Sequence, residues 1–278
     1  MFSFFSVLEV LRLGHYQFTG SVPTKTQKHQ NTKTPFKPSK LFLSLRAFFT
    51  TTHDSPLTIH VMPGTLFNLA EKQSVANRFV AELRNIEVQK DRMRFRRNLE
   101  RVGEVLAYEI SKTLDYEPTV VETPLGSSTP LLSSQRIVLA TILRAGLPLH
   151  QGLLNYFDQA DNAFISAYRR QHKDGSFTIQ LDYVSTPSIE DSVLILADPM
   201  LATGASVNIA LKEMMRFGKP AVLHVVTVIA SVAGVDAVRR QYPYAHIWAG
   251  AIDEELTAKS YIVPGLGDAG DLAFGEKR

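Results

Sequence analysis

The chain has 278 residues, 45% of them hydrophobic and 21% charged, which is the make-up of a globular protein long enough to bury a full core and excludes a disordered chain. It contains no cysteine, which excludes disulfides, thiolate catalysis and cysteine-based zinc sites and fits a reducing, cytoplasmic setting; no apolar run reaches the roughly 18 residues of a membrane span. The net charge of +3 is uneven: residues 1–61 hold seven basic and two acidic side chains, net +5, leaving residues 62–278 with 23 basic against 25 acidic, net −2, so the body of the chain offers no electrostatic footprint for nucleic acid.

Residues 1–61 begin apolar, turn to a Thr/Lys/Pro/Gln stretch between 22 and 40, and pass through a short apolar run at 41–49, with no lasting period. They read as a disordered arm, a targeting peptide, or a false extension ahead of a true start at Met62. The folded domain is expected over 62–278.

From residue 66 the pattern becomes regular. Val75, Phe79, Leu83 and Ile86 recur at helical spacing, and Phe95, Leu99, Val102, Leu106 and Ile110 do the same across 90–114. The second helix carries Arg92, Arg94, Arg96, Arg97 and Arg101, read as a solvated or subunit-facing surface in preference to a phosphate site. After Asp115 the period shortens. Strand-like runs lie at 119–122, 137–143, 163–168, 178–184, 193–197, 222–230 and 245–252, with helical stretches at 147–157, 205–217 and 232–241. Val- and Ile-rich runs alternating with helices predict an α/β fold, a mainly parallel sheet flanked by helices. Ligands in such sheets bind beyond the carboxyl ends of the strands, so the candidate site segments are those just after each run.

Asp198-Pro199-Met200-Leu201-Ala202-Thr203-Gly204-Ala205-Ser206 follows a buried strand and precedes a helix expected from about Val207. Such a turn aims backbone N–H groups and a helix N-terminus at one point, and Gly204 permits close approach to an anion. Asp198 would repel phosphate and suits sugar hydroxyls; the alternative is a plain turn capped by Ser206. In Ile142-Leu-Arg144-Ala-Gly146, an arginine ends a strand ahead of a helix with Pro148 in its first turn. Its bidentate fork suits a di-anion or a structural carboxylate. Arg169 ends another strand. Tyr261-Ile262-Val-Pro264-Gly265-Leu-Gly267-Asp268-Ala269-Gly270-Asp271 holds three glycines and a proline within seven residues, a loop whose backbone groups can read a small planar base or form an ordinary terminal turn. Asp268 and Asp271 could hold a metal or ligand hydroxyls. His150, His172, His224 and His246 show no zinc spacing and read as structural or surface.

Together these segments resemble uracil phosphoribosyltransferase, of the type I phosphoribosyltransferases; the likeness runs from about Leu66 to the end. The resemblance implies transfer of ribose 5-phosphate from phosphoribosyl diphosphate to N1 of uracil, giving UMP and diphosphate, with Mg²⁺ arriving on the diphosphate. It implies Arg144 and Arg169 on the diphosphate, the loop Asp198 to Ser206 on the ribose 5-phosphate with Asp198 on the ribose hydroxyls, and Asp268 on the phosphoribosyl ligand. Ile262, Gly267, Asp268 and Ala269 would line the uracil site, read mostly through the backbone. Homo-oligomeric association and, as in some relatives, a GTP effector belong to the same expectation; nucleic acid and membrane do not. Ala205 stands where the commoner form of the family has a second glycine. The rival readings are a non-catalytic regulator on the same fold and a transferase for a different base.

Overall fold

A computed structural model describes residues 63–171 and 177–277. The sequence expectations for residues 1–61 and for His172 lie outside these.

The chain enters through β1 (Leu66–Asn68), then α1 (Ala76–Arg84) and the long α2 (Arg92–Ser111). Asp91 starts α2 by accepting the Met93 and Arg94 N–H groups, which satisfies donors that a helix N-terminus otherwise leaves open. The predicted apolar stripe of α2 is buried from Phe95 to Ile110. Four of its five arginines, Arg94, Arg96, Arg97 and Arg101, are taken up in contacts within the fold. Arg94 and Arg78 pair with Glu82, Arg97 with Glu100 and Glu104, and Arg101 lies over the Phe79 ring. Arg96 donates to the Ala273 carbonyl at 2.7 Å.

The remaining sheet strands are β2 (Ile137–Leu143), β3 (Asp161–Gln171), β4 (Phe177–Ser185), β5 (Val193–Ala197), β6 (Met200–Leu201), β7 (Val222–Ser231) and β8 (His246–Asp253). Between them lie α3 (Leu147–Leu154), α4 (Ala205–Met214) and α5 (Val232–Gln241), and α6 (Ala269–Phe274) comes after β8. The spatial order is β1-β8-β7-β5-β2-β3-β4, with β6 beside β7. Every pairing is parallel except β3 with β4. Alternate residues of each strand feed two cores. Leu139, Ile195 and Val226 pack with α1, α2 and α3, whereas Ala140, Leu196 and Val225 pack with α4 and α5. The result is the mainly parallel α/β sheet that the runs of Val and Ile predict.

One expected strand sits elsewhere. Residues near 119–122 form exposed ribbons, Glu117–Pro118 with Leu131–Leu132 and Val121–Thr123 with Gly126–Ser128, not members of the main sheet. Four residues of strand-like composition do not tell a ribbon from a core strand.

The central pair, β2 and β5, positions the candidate site. From β2 the sheet extends outward to β3 and β4; from β5 it extends the opposite way to β7 and β8. The carboxyl ends of β2 and β5 therefore flank the crevice where an open α/β sheet takes its ligand.

Candidate active site

Arg144 follows β2 and Asp198 follows β5, so both stand at that crevice. Thr141 Oγ1 donates to the Ala197 carbonyl at 3.2 Å. A side chain at Gly146 would strike Thr141 and the Ile142 carbonyl, so glycine alone lets the turn after β2 lie against the end of β5.

Residues 198–207 form a shallow concavity lined by Asp198, Thr203, Gly204, Ala205 and Ser206 among others. Gly204 has φ +75° and sits before α4. Helix α4 starts at Ala205, the first residue of the expected helical stretch 205–217, so Ser206 lies within its first turn and does not cap it. The helix has no side-chain cap; Thr203 Oγ1 accepts the Ala205 N–H at a long 3.4 Å. N–H groups of this first turn and the positive end of the helix face the concavity, an arrangement suited to an anion. The loop is held from behind. Ser231, at the start of α5, donates to the Ala202 carbonyl at 2.5 Å and accepts the Gly234 N–H at 2.9 Å. A side chain at Gly234 would meet the Leu201 and Ala202 carbonyls. Asp198 is half-buried, and its Oδ1 lies 3.5 Å from the Met200 N–H.

Arg144 donates through Nη2 to Asp271 Oδ1 at 3.1 Å and to the Gly275 carbonyl at 2.8 Å. Its Nε is buried without a hydrogen-bond partner. This arginine thus has a structural carboxylate and, in addition, an unused buried donor. Arg169 lies on β3, paired with Ile179, three residues beyond Ser166, which registers with the end of β2.

The terminal loop is partly regular. Ile262–Val263 pairs with Glu255–Leu256 off the main sheet, and α6 takes Ala269 onward. A helix beginning inside this glycine-rich segment departs from the sequence expectation. Asp268 makes it feasible: its Oδ1 accepts the Gly270 N–H at 2.9 Å and the Asp271 N–H at 3.0 Å, an N-cap that offsets the cost of Gly270. Gly265 and Gly267 have φ +54° and +97°, values open to glycine at little cost. Gly267, Asp268 and Asp271 line a cavity of about 370 Å³, together with Arg92 at the start of α2 and Lys90 just before it. Ile262 and Ala269 are buried and are not among the residues that line it. The cavity and the concavity share no lining residue; Arg144, in the turn after β2, pairs with Asp271 on the cavity wall, and a side chain at Gly270 would come within 3.9 Å of Ala145.

Among the described residues no three His, Cys, Asp or Glu side chains converge on a metal position. Asp268 caps a helix and Asp271 pairs with Arg144. Buried His224 accepts the Trp248 Nε1–H at 3.0 Å, and His150 is buried, so both are structural as read.

A model of the family described as uracil phosphoribosyltransferase matches residues 70–276. The chain belongs to the uracil phosphoribosyltransferase family. It is 51% identical over 213 residues to the uracil phosphoribosyltransferase of Porphyromonas gingivalis, covering 76% of this chain and 99% of that one. It is 40% identical over 201 residues to the protein of that name from Pyrococcus furiosus, covering 71% and 84%. Among solved structures it is similar to the AQ2163 protein of Aquifex aeolicus, with TM-score 0.68, 28% identity, and 76% and 98% of the two chains covered. The family match spans both the loop after β5 and the terminal loop.

Sequence reading alone missed Ser231, Arg84 and Asp253, the residues that hold these loops. Asp253 ends a strand run and carries the same positional signal as Arg144. Arg84 carries no local signal, because its partner lies 169 residues away.

Proposed function

We propose that the chain transfers the phosphoribosyl group from phosphoribosyl diphosphate to uracil, forming UMP and diphosphate in pyrimidine salvage, with the two concavities as its two half-sites. The observation that carries the assignment of sites is at the β2–β5 crevice, where the loop after β5 forms the anion cup and the adjacent turn after β2 carries Arg144, paired with Asp271 on the wall of the second cavity. The loop Asp198 to Ser206 holds the ribose 5-phosphate through N–H groups and the Thr203 and Ser206 hydroxyls, with Asp198 on the ribose hydroxyls. Arg144 and Arg169 hold the diphosphate, and the buried, unpaired Arg144 Nε supports this for Arg144. Ile262, Gly267 and Ala269 present backbone groups to uracil, and Asp268 contacts the phosphoribosyl ligand.

In the reaction, N1 of uracil forms a bond to the ribose anomeric carbon as that carbon's bond to the diphosphate oxygen breaks. The N1 proton is lost, and no residue is assigned as its acceptor. Negative charge grows on the departing diphosphate, where Arg144 and Arg169 stabilise it. Holding uracil against the reacting carbon supplies a further share. Mg²⁺ enters with the diphosphate as part of the substrate.

Homo-oligomeric association is part of the reading. Leu125, Leu131 and Val120 on the ribbons are exposed apolar side chains that a second subunit would cover. A GTP effector is part of it too, tested by adding the nucleotide to the assay, and the cysteine-free composition suits the cytoplasm. The functional test is UMP formation from uracil, phosphoribosyl diphosphate and Mg²⁺. The expected result is UMP and diphosphate in equal amounts. A chain that binds phosphoribosyl diphosphate yet forms no UMP would be a regulator on the same fold.

A further inference from the structure

The loop that precedes Gly267 is held in place by groups outside the proposed ligand set. Arg84, the last residue of α1, donates from Nη1 and Nη2 to the two carboxylate oxygens of Asp253, both at 2.7 Å. Asp253 closes β8 and is only 7% exposed. The same carboxylate accepts the Gly265 N–H at 2.9 Å, and Arg84 Nη1 also donates to the Gly265 carbonyl at 3.0 Å. One ion pair therefore grips both polar groups of a single loop residue. The next residue, Leu266, is buried, and its carbonyl takes a 3.0 Å hydrogen bond from the Gln89 side-chain amide when that amide is turned to satisfy its neighbours. Gly267 comes next, exposed, at the edge of the cavity.

A buried ion pair is a poor device for stability alone, because desolvation offsets much of the attraction. A bidentate arginine–carboxylate pair is a good device for geometry, since its two parallel bonds admit one arrangement. An apolar pair could seal the junction of α1 and β8, but could not hold a peptide by its N–H and its carbonyl at once. We propose that Arg84 and Asp253 are positioning residues for base recognition: they fix Gly265, and through it the Gly267 peptide, and so set discrimination among pyrimidine bases. This rests on the proposed function, in which the loop from Ile262 to Ala269 holds the base. A base read by backbone groups needs those groups placed within about 0.5 Å, and no flexible side chain is present to absorb an error. The cup for the phosphoribosyl ligand hangs instead on Ser231 and α5, so the clamp acts first on the base and reaches the other substrate only through Asp268.

The test is steady-state kinetics of the full chain as wild type, Arg84→Met, Arg84→Lys and Asp253→Asn. Each substrate is varied at saturation of the other, and uracil is compared with cytosine and thymine. Arg84→Met and Asp253→Asn are expected to raise the KM for uracil tenfold or more, to leave the KM for phosphoribosyl diphosphate within twofold, and to lower the preference for uracil. Arg84→Lys keeps the charge with fewer bonds and is expected to fall between wild type and Arg84→Met. If Asp253→Asn does not fold, Arg84→Lys carries the test. Equal increases in both KM values, or a lower Tm with uracil kinetics and base preference unchanged, would overturn the proposal. A wild-type chain that forms no UMP fails the functional reading and the proposal together, an outcome distinct from losses confined to the variants.

Discussion

Gly204 shows how much one residue constrains the phosphate cup. Its φ is +75°, and a Cβ there would lie 3.0 Å from both the Ala237 Cβ and the Gly234 carbonyl. Gly204→Ala should cost about 1–3 kcal/mol, from left-handed backbone and crowding together, and should weaken the phosphoribosyl ligand more than uracil. Denaturant unfolding and calorimetric binding check the two parts. The neighbouring Ala205 opens α4 with ordinary helical backbone, so the methyl that departs from the commoner family form is tolerated. On the proposed assignment Arg144 and Gly267 divide the two substrates. Arg144→Ala should raise the KM for phosphoribosyl diphosphate and lower kcat by at least tenfold, since it loses a charged donor at the leaving group. Gly267→Val should act chiefly on uracil, because φ +97° excludes a branched side chain. Initial-rate kinetics with each substrate varied would expose a wrong assignment as normal values for both.

At the scale of elements, α2 and α3 approach through glycines. A side chain at Gly152 would meet the Glu100 carbonyl, and one at Gly103 the Leu149 carbonyl. Gly152→Ala is expected to destabilise by about 1–3 kcal/mol through overpacking, read as a lower denaturation midpoint. Beside its apolar core, the α1–α2 contact carries a charged cluster. Glu82 accepts hydrogen bonds from Arg94, Asn98 and Arg78, Arg94 contributing most, and its carboxyl is lowered from 4.5 to about 2. A lowered carboxyl stabilises the fold above the unfolded value and loses that contribution as pH falls, here between 4.5 and about 2. Glu82→Gln should flatten the stability profile in that window when monitored by urea unfolding. Much of this level was legible in the sequence. Strands β2 and β5 and helix α5 match their expected bounds residue for residue, the strands because a strand covered on both faces is apolar along its length and the helix because Val235 and Val238 give it one buried stripe. The ribbons at 117–132 were not legible, since their pairing depends on turns and solvent exposure that a run of four residues does not encode. Helix α6 was hidden by its glycines and is rescued by the Asp268 cap.

Over the whole molecule, the sheet order brings Arg144 and Asp198 to adjacent strand ends and leaves the terminal loop to be docked by distant partners. The glycine and arginine positions of the candidate site could be found from the sequence because each is a local signal, an arginine at the end of a strand run or a cluster of glycines in a loop. The Arg84–Asp253 clamp, the Ser231 hook and the engagement of Arg144 by Asp271 could not, because each joins residues far apart in the chain. Histidine burial gives the fold a second pH dependence. Burial chiefly, with neighbouring His246 adding to it, lowers His224 from 6.5 to about 3, and burial lowers His246 and His150 as well. The folded state thus resists protonation that the unfolded chain accepts, so stability is complete above about pH 6.5 and declines toward about pH 3. Calorimetric Tm values across that range should fall with decreasing pH. We also propose that residues 62–278 form the catalytic domain, so a chain lacking residues 1–61 should keep its kinetic constants within twofold. The most direct measurement is an experimental structure of the full chain with UMP bound. The phosphate is predicted in the cup of Thr203, Gly204 and Ser206, the ribose hydroxyls on Asp198, and the uracil edge on the backbone of Ile262, Gly267 and Ala269. A base lodged away from the Gly267 loop, with the phosphate outside that cup, would contradict the proposed site.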